Sequence, residues 1–326
     1  MSIHFVVPSE FDQLIRSLTS RGFKDYPYWV GGRFNWAAQS YLVLREYREG
    51  MSLGTEPMPR KMNFAHVMCW RGKSLRVGEF RISSRADYPR LFDVDFEVLQ
   101  NPAIPTNRRQ AYLPYWPVPG LIPRKAERRG VQSIAYAGRI GRSNIAESIR
   151  VADDRLLQYD FQIIAPNKWH DLSEVDVLLA IRSFDKATHD GKPPSKLFSA
   201  WRAGVPLIAG YDSAFSEIGA PGIDYIRVES EEQLHVELER LAVDQCHYDA
   251  LVKRGRERAP NFSHEAIAEE WLKVIDRRIA PCFDGWLDNG GPDCYRRGAK
   301  ILDNFRDSAT GVRRIFRNAR KIDVGL

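Results

Sequence analysis

The sequence lacks any apolar run of the length that a membrane helix needs. Crossing the bilayer core takes about 20 consecutive apolar residues, and the 326-residue chain has no such stretch. Its first residues, MSIHFVVPSEFD, also lack the basic region, apolar segment and small-residue cleavage site of a secretory signal. These absences argue against an integral membrane protein and predict a cytoplasmic location.

Cysteine is scarce as well. The four cysteines, Cys69, Cys246, Cys282 and Cys294, show no Cys-x-x-Cys spacing. This pattern argues against a zinc knuckle and against a dense disulfide framework, so we expect reduced thiols. A chain of 326 residues is long enough for two domains of roughly 150 residues each, and two domains imply a cleft between them.

The chain carries an excess of positive charge, with a net charge of +6 at pH 7. Such an excess can favour nucleic acid, an anionic membrane surface or phosphorylated ligands, and the position of the cations decides among them. Nucleic acid is the weakest of the three, because the sequence has no recognised nucleic-acid module and its aromatic residues form no stacking set.

The first part of the chain mixes strand and helix patterns. Apolar runs at 3–7, 64–70 and 96–100 predict strands. Gly31 and Gly32 precede a stretch whose apolar spacing predicts a helix packed on a sheet. A glycine pair at a helix start lets a ligand approach the backbone. We therefore predict an α/β domain over residues 1–126.

A proline-rich segment follows at 102–123, with six prolines that exclude a continuous helix or a central strand. Tyr112, Tyr115 and Trp116 give this segment surface to bury. We interpret it as an ordered connection between two domains.

Strand and helix patterns alternate regularly from residue 133 onward. Strands are predicted at 133–138, 161–165, 175–181, 206–210 and 223–228, with helices at 143–157, in KPPSKLFSAWRAG (192–204) and at 230–244. This alternation predicts a parallel, doubly wound sheet. We place the second domain at 127–264 and C-terminal helices that cross back to the first domain at 265–326.

Polar residues cluster where these strands end, which is where ligands of such sheets bind. Cations and hydroxyls there hold phosphate, and carboxylates accept hydrogen bonds from sugar hydroxyls. The pattern therefore predicts a phosphate-bearing ligand with sugar hydroxyls. The residues in question are Arg139, Arg142, Arg182, Ser183, Ser195, Lys196, Asp212, Ser213 and Glu217.

At these residues the sequence resembles the donor-binding domain of GT-B glycosyltransferases. Many of them carry a Pro-x-Lys-Leu turn that opens a helix, then Ala-x-x-Ala-Gly-Val-Pro, a strand and a polar loop ending in glutamate. The matching residues are Pro194, Lys196, Leu197, Ala200, Ala203 to Pro206, and Asp212 to Glu217. AYAGRI, which contains Gly138 and Arg139, and the VGGRFNW stretch are similar to further parts of this fold.

The resemblance implies two Rossmann-like domains that face each other across a cleft, and transfer of a sugar from a nucleotide diphosphate sugar to a glycan or glycolipid acceptor. It implies no cofactor and no obligatory metal. Arg139 and Lys196 would hold the diphosphate and compensate the charge of the leaving group. The donor-binding set it implies is Gly31, Gly32, Gly138, Arg139, Arg182, Ser195, Lys196, Leu197, Ser213 and Glu217.

The chain departs from the family pattern at Ser199, where many retaining members have a ribose-binding glutamate, and it lacks the Glu-x7-Glu pair. The donor nucleotide and the stereochemistry therefore stay open. Two alternatives also stay open: a UDP-sugar epimerase of the same architecture, and a non-catalytic protein that binds sugar nucleotides or glycans.

An inverting transferase needs a base in the first domain near the acceptor hydroxyl. Asp87, in the polar segment RISSRADYPR, and His66 are the candidates, and we take Asp87. Asp93 and Asp95 have the Asp-x-Asp spacing of metal-dependent GT-A enzymes. They precede a strand instead of following one, so we assign no metal site.

The C-terminal tail combines basic and apolar residues. From Arg296 to Lys321, apolar side chains recur at near-helical intervals among nine Lys or Arg. Such a segment can lie on an anionic membrane surface and bring the cleft to a lipid-linked acceptor. A solvated helix packed on the first domain is the equal alternative.

Overall fold

A computed structural model describes residues 2–19, 31–71, 73, 78–138 and 154–289. Its first sheet is built from six strands whose neighbours all run parallel. The strands are β1 (Ile3–Val6), β2 (Ser52–Gly54), β3 (Met62–His66), β4 (Phe80–Ser84), β5 (Phe96–Leu99) and β6 (Gln110–Tyr112), in the spatial order β2-β1-β3-β4-β5-β6.

The second sheet is also parallel throughout. Its five strands are β7 (Ser133–Tyr136), β8 (Asp160–Ile163), β9 (Val177–Ala180), β10 (Leu207–Ala209) and β11 (Ile226–Arg227), in the spatial order β11-β10-β9-β7-β8. The described 3₁₀ turns of this part are Asp154–Gln158 and Pro166–Lys168.

Helices surround both sheets. The helical elements that connect strands of the first sheet are the 3₁₀ turn Ser9–Phe11, α1 (Asp12–Thr19), α2 (Gly32–Leu44) and α3 (Val67–Trp70). The helices of the second sheet are α4 (Ser195–Ala203), α5 (Ser213–Ile218), α6 (Glu231–Val243) and α7 (Gln245–Arg258). The 3₁₀ turn Ala259–Phe262, α8 (His264–Val274), the π-helical turn Ile275–Ile279 and α9 (Ala280–Asp288) complete the described chain.

The second sheet is covered on both faces, because successive residues of a strand point to opposite sides. On β9, Leu179 packs with Leu234 and Leu238 of α6, whereas Leu178 packs with Leu197 and other residues of α4. A parallel sheet with helices on both faces is the doubly wound arrangement that the alternating pattern predicts. This two-domain α/β architecture confirms the predicted fold class.

The C-terminal helices pack on the first sheet. Trp271 of α8 lies 5.2 Å from the ring of Phe64 on β3 and stacks on Trp116 at 5.7 Å. Phe283 and Trp286 of α9 pack edge-on against Phe80 of β4. The chain therefore runs from the second sheet back to the core of the first. The basic tail at 296–321 lies outside the described residues.

Several local predictions need correction. The run 64–70 is not one strand: β3 ends at His66, whose imidazole accepts a hydrogen bond from the backbone of Met68 and caps α3. Strand β4 was not predicted. Its segment FRISS contains Arg81 and two serines, and these polar residues do not indicate a buried strand. The predicted helix at 143–157 lies outside the described residues up to 153, and its last positions belong to a 3₁₀ turn.

The proline-rich connection adds β6 to the edge of the first sheet, where a strand tolerates neighbouring prolines. Trp116 is fully buried and its indole N–H donates to Ser40 Oγ at 2.7 Å. The segment is thus ordered by burying its aromatic residues.

The basic segment after this connection is anchored on a buried carboxylate. Asp176 is fully buried. Its Oδ1 accepts from Nε of Arg124 at 2.8 Å and of Arg128 at 2.9 Å, and its Oδ2 accepts from Nη2 of Arg128 at 2.6 Å. The backbone N–H groups of Gln132 and Ser133 also donate to Oδ2, both at 2.9 Å. One carboxylate therefore fixes where the connection meets the second sheet.

Candidate functional site

The carboxyl ends of β7, β9 and β10 face the first domain and carry most of the predicted donor-binding residues. Gly138 follows β7, and a side chain at this position would come within 2.6 Å of the Tyr136 ring. Any other residue here would force the Tyr136 ring to shift. Arg139, the next residue, lies outside the described residues.

Lys196 stands at the start of α4, where the Pro-x-Lys-Leu turn places it. Its Nζ lies 5.5 Å from the centre of the Tyr136 ring. Burial lowers the pKa of Lys196 to about 7, the Arg182 guanidinium and Lys192 lower it as well, and Asp212 and Asp87 oppose them. A half-buried amine among other cations is an anchoring point for an anion.

The two sequence neighbours of Lys196, Ser195 and Leu197, make different contacts. Ser195 is the first residue of α4, and its carbonyl accepts a hydrogen bond from Ser199 Oγ at 3.1 Å. Leu197 is fully buried in the core under the second sheet. Leu197 therefore anchors the turn, while Lys196 extends toward the cleft.

Arg182 follows β9 and pairs with Asp212 after β10. Its Nε donates to Asp212 Oδ2 at 2.9 Å, and Asp212 Oδ1 accepts from the backbone of Ala214 to cap α5. Asp185, which lies much nearer to Arg182 along the chain, instead accepts from Ser183 Oγ and from the backbone of Ala187. Asp212 thus holds the guanidinium at the carboxyl end of the sheet.

Ser213 and Glu217 both lie on the short helix α5, but in different surroundings. The Ser213 hydroxyl accepts from Asn101 Nδ2 at 2.9 Å and donates to Asp190 Oδ1 at 3.0 Å. Glu217 is exposed. Ser213 therefore lies at the contact between the domains, whereas the side chain of Glu217 is open to solvent.

The glycine pair of the first domain opens α2. Gly31 has a φ of 152°, and Gly32 approaches the His66 ring so closely that a Cβ would lie 3.4 Å from Nε2. Burial lowers the pKa of His66 to about 4, with Asp87 opposing and Arg33 adding to the shift. Because Nδ1 accepts from Met68, the neutral ring carries its proton on Nε2.

Asp87 lies in the cleft with both carboxylate oxygens engaged. Oδ2 is 2.5 Å from Nζ of Lys192, and Oδ1 accepts from Gln100 Nε2 at 2.7 Å. The same Gln100 nitrogen donates to the carbonyl of Gly191 at 2.7 Å. Because a carboxylate oxygen can accept two hydrogen bonds, Asp87 can still accept a proton from a substrate beside these contacts.

Three cleft residues escaped the sequence prediction: Gln100, Asn101 and Lys192. Gln100 and Asn101 follow β5, are 5% and 1% exposed, and bond to the second domain. The only sequence signal was their position at the end of the strand predicted at 96–100, of which Gln100 is the last residue and which Asn101 follows. Lys192 was visible in the quoted turn, but its partner Asp87 is 105 residues away.

The Asp-x-Asp pair holds a buried arginine. Arg81 on β4 is fully buried, with Nη2 2.8 Å from Glu79 and Nη1 3.4 Å from Asp93. Its backbone N–H donates to Asp95 Oδ2 at 2.7 Å, and its guanidinium lies 4.9 Å from the Trp70 ring. Asp93 helps to compensate the charge of the buried guanidinium, and Asp95 binds the backbone of the same residue. Both aspartates therefore have a structural role.

No family model and no curated protein matches the chain. Among solved structures, it is similar to sucrose-phosphate synthase from Thermosynechococcus elongatus, with a TM-score of 0.56 and 11% identity over 86% of this chain and 100% of that one. HepE (Alr3699) from Anabaena, solved with UDP-glucose, has a TM-score of 0.52 and 8% identity over 85% of this chain and 99% of that one.

TarM gives a TM-score of 0.48 at 9% identity over 72% of this chain, which spans 58% of the length of TarM. The two fuller superpositions show that the chain has the GT-B fold, as the resemblance implied.

Proposed function

We propose that the chain is a glycosyltransferase that moves a sugar from a nucleotide diphosphate sugar to a glycan or glycolipid acceptor in the cleft. One observation carries this proposal: Arg182, Lys192 and Lys196 converge where α4 begins, against the two carboxylates of Asp212 and Asp87. Among the described residues, no carboxylate lies within salt-bridge distance of Lys196. A diphosphate would supply the missing negative charge.

The fold neighbours support the same class of donor. HepE was solved with UDP-glucose, and sucrose-phosphate synthase is a further protein of this fold. In the proposed reaction, Arg139 and Lys196 stabilise the charge that builds on the departing diphosphate. Gly31 and Gly32 approach from the opposite domain, and no metal or cofactor takes part.

Asp87 is the proposed base if the reaction inverts configuration. In that case an acceptor hydroxyl donates to one of its carboxylate oxygens, beside the contact with Lys192 or Gln100. Ser213 and Glu217 are proposed to contact the sugar or the ribose, Glu217 through a side chain that has room to move.

A non-catalytic sugar-nucleotide or glycan-binding protein is the second candidate, and Ser199 favours it. Ser199 is 8% exposed and its hydroxyl donates within α4, so this position offers no carboxylate to a ribose. A UDP-sugar epimerase would need more acid and base groups in the cleft. Incubation with nucleotide sugars separates these functions: only a transferase releases nucleotide diphosphate with transfer or hydrolysis, and only an epimerase returns an altered sugar.

The first test is a thermal-shift screen against UDP-, GDP-, dTDP- and CMP-sugars. A ligand that binds only the folded state at about 100 times its Kd adds about 2.7 kcal/mol and raises the melting temperature by about 5 °C. We expect such a rise with one nucleoside diphosphate sugar and with its free nucleoside diphosphate. No rise with any of the four donors contradicts the proposal.

The C-terminal tail is proposed to hold the enzyme at an anionic membrane surface. Within the described ranges, no helix is long and apolar enough to cross a bilayer. We expect that removal of residues 296–326 lowers binding to vesicles containing anionic lipid, because the basic residues contribute about 1 kcal/mol each near such a surface. Vesicle flotation measures this, and unchanged nucleotide affinity is the control. Equal vesicle binding by both chains counts against a membrane role.

A further inference from the structure

The loop after β4 carries two exposed aromatic rings beside three arginines. Tyr88 and Phe92 are 38% and 40% exposed. We call Arg71, Arg85, Tyr88, Arg90 and Phe92 the 88–92 surface. It lies at the carboxyl end of the first sheet, next to the cleft.

Guanidinium groups hold both rings at the surface. Cζ of Arg71 lies 5.8 Å from the centre of the Tyr88 ring, and Cζ of Arg90 lies 5.7 Å from that of Phe92. Nε of Arg85 donates to the carbonyl of Tyr88 at 3.1 Å. The rings are thus fixed without being buried, which leaves flat apolar area beside positive charge.

The acidic residues near this surface have hydrogen-bond or ion-pair partners of their own. Asp87 bonds to Lys192 and Gln100, and Asp93 contacts the buried Arg81. Glu97 is buried and accepts from Gln110 Nε2 at 2.6 Å; burial raises its pKa, and the nearby charges of Arg85 and Arg90 oppose that shift. In the part of the chain that the structure describes, no carboxylate lies within salt-bridge distance of Arg85. Arg85 therefore contributes positive charge to this surface.

The surface continues into the cleft. The Tyr88 ring lies 5.4 Å from the His66 ring, which contacts Gly32. Asp87, the proposed base, is the neighbour of Tyr88 in sequence. The 88–92 surface therefore adjoins the proposed base along the chain.

We propose that the 88–92 surface binds the acceptor and that this acceptor is a saccharide with a negative charge, either a carboxylate or a phosphate. The apolar face of a sugar ring packs on Tyr88 and Phe92, and Arg85 binds the anionic group. This inference rests on the proposed function, since it assigns the acceptor of the same cleft.

Calorimetry with the full chain tests the inference on four probes: trigalacturonate, maltotriose phosphate, neutral maltotriose and a 20-nucleotide RNA. We expect at least one of the two acidic saccharides to bind at least tenfold more tightly than maltotriose. The one that binds identifies carboxylate or phosphate as the anionic group. Tyr88→Ala and Arg85→Gln should each weaken that binding at least fivefold and leave the affinity for UDP or GDP unchanged.

Tyr47→Ala is the matched control, because Tyr47 is 44% exposed but lies beyond the far end of α2. Equal binding of neutral and acidic saccharides, an equal loss in the Tyr47 variant, or preference for RNA overturns the inference. Binding of UDP or GDP without any acidic saccharide also overturns it and leaves the proposed function intact. If an acidic saccharide binds but no nucleotide does, the result supports saccharide binding at the 88–92 surface and contradicts the proposed function.

Discussion

Replacing Lys196 with alanine is expected to weaken binding of the donor nucleoside diphosphate at least tenfold. The substitution removes one charge-assisted contact, and the lower end for such a contact is about 1.5 kcal/mol. Isothermal titration calorimetry with UDP and GDP measures the change. Lys186→Ala is the matched control, because Lys186 lies in the same loop region but pairs with Glu229 at 3.0 Å and is 66% exposed.

The pH dependence of this affinity gives a second measure of the same contact. The pKa of Lys196 is lowered to about 7, chiefly by burial, so the protonated form that binds phosphate declines as pH rises through 7. We expect the wild-type affinity to fall between pH 7 and 9 and that of the alanine variant to change less. Working above pH 6.5 keeps the terminal phosphate, whose second pKa is about 6, largely ionised. If the variant and the wild type bind the nucleoside diphosphate with equal affinity at pH 7, the assignment of Lys196 to the donor site is wrong.

Asp176→Ala is expected to lower the free energy of unfolding by about 3–5 kcal/mol, as when one partner of a buried ion pair is removed. The variant leaves the mostly buried side chains of Arg124 and Arg128 without their shared carboxylate. It also leaves the N–H groups of Gln132 and Ser133 without an acceptor. Urea unfolding followed by tryptophan fluorescence measures the loss, with the transition of the second domain as the relevant one.

Glu174→Ala is the control for this prediction. Glu174 pairs with Arg128 and Lys125 but is half exposed, so its loss should lower the free energy of unfolding much less than the loss of Asp176 does. If both variants lose a comparable free energy of unfolding, burial of the carboxylate does not determine that loss. Asp176 precedes β9, at the opposite end of the strand from the cleft, so both variants should keep wild-type nucleotide affinity while folded.

The same carboxylate predicts a sensitivity to acid. Burial alone raises the pKa of Asp176, but hydrogen bonds from Arg128, Ser133 and Gln132 outweigh it, and the pKa lies below its ordinary value. A lowered folded-state pKa contributes stability above the unfolded pKa of about 3.9 that is lost as pH falls further. The gap in stability between wild type and Asp176→Ala should therefore narrow below pH 4.

The second sheet was well predicted because its strands are buried on both faces and read as short apolar runs. The run 175–181 contains β9, the run 206–210 contains β10, and Ser230 caps α6 as its position before Glu231 indicates. Local sequence decides these elements. The first sheet was harder: β4 carries the buried Arg81, which resembles a surface residue until Glu79, Asp93 and Asp95 are seen around it.

The sequence by itself determined the class of fold and the turn that presents Lys196, since apolar periodicity and the Pro-x-Lys-Leu motif act over a few residues. Tertiary structure alone decided that Arg182 pairs with Asp212 and not Asp185, and that Asp87 meets Lys192 across the cleft. Such pairs join residues 30 and 105 positions apart. Their contact depends on how two sheets and their loops are placed in space, which no local pattern encodes.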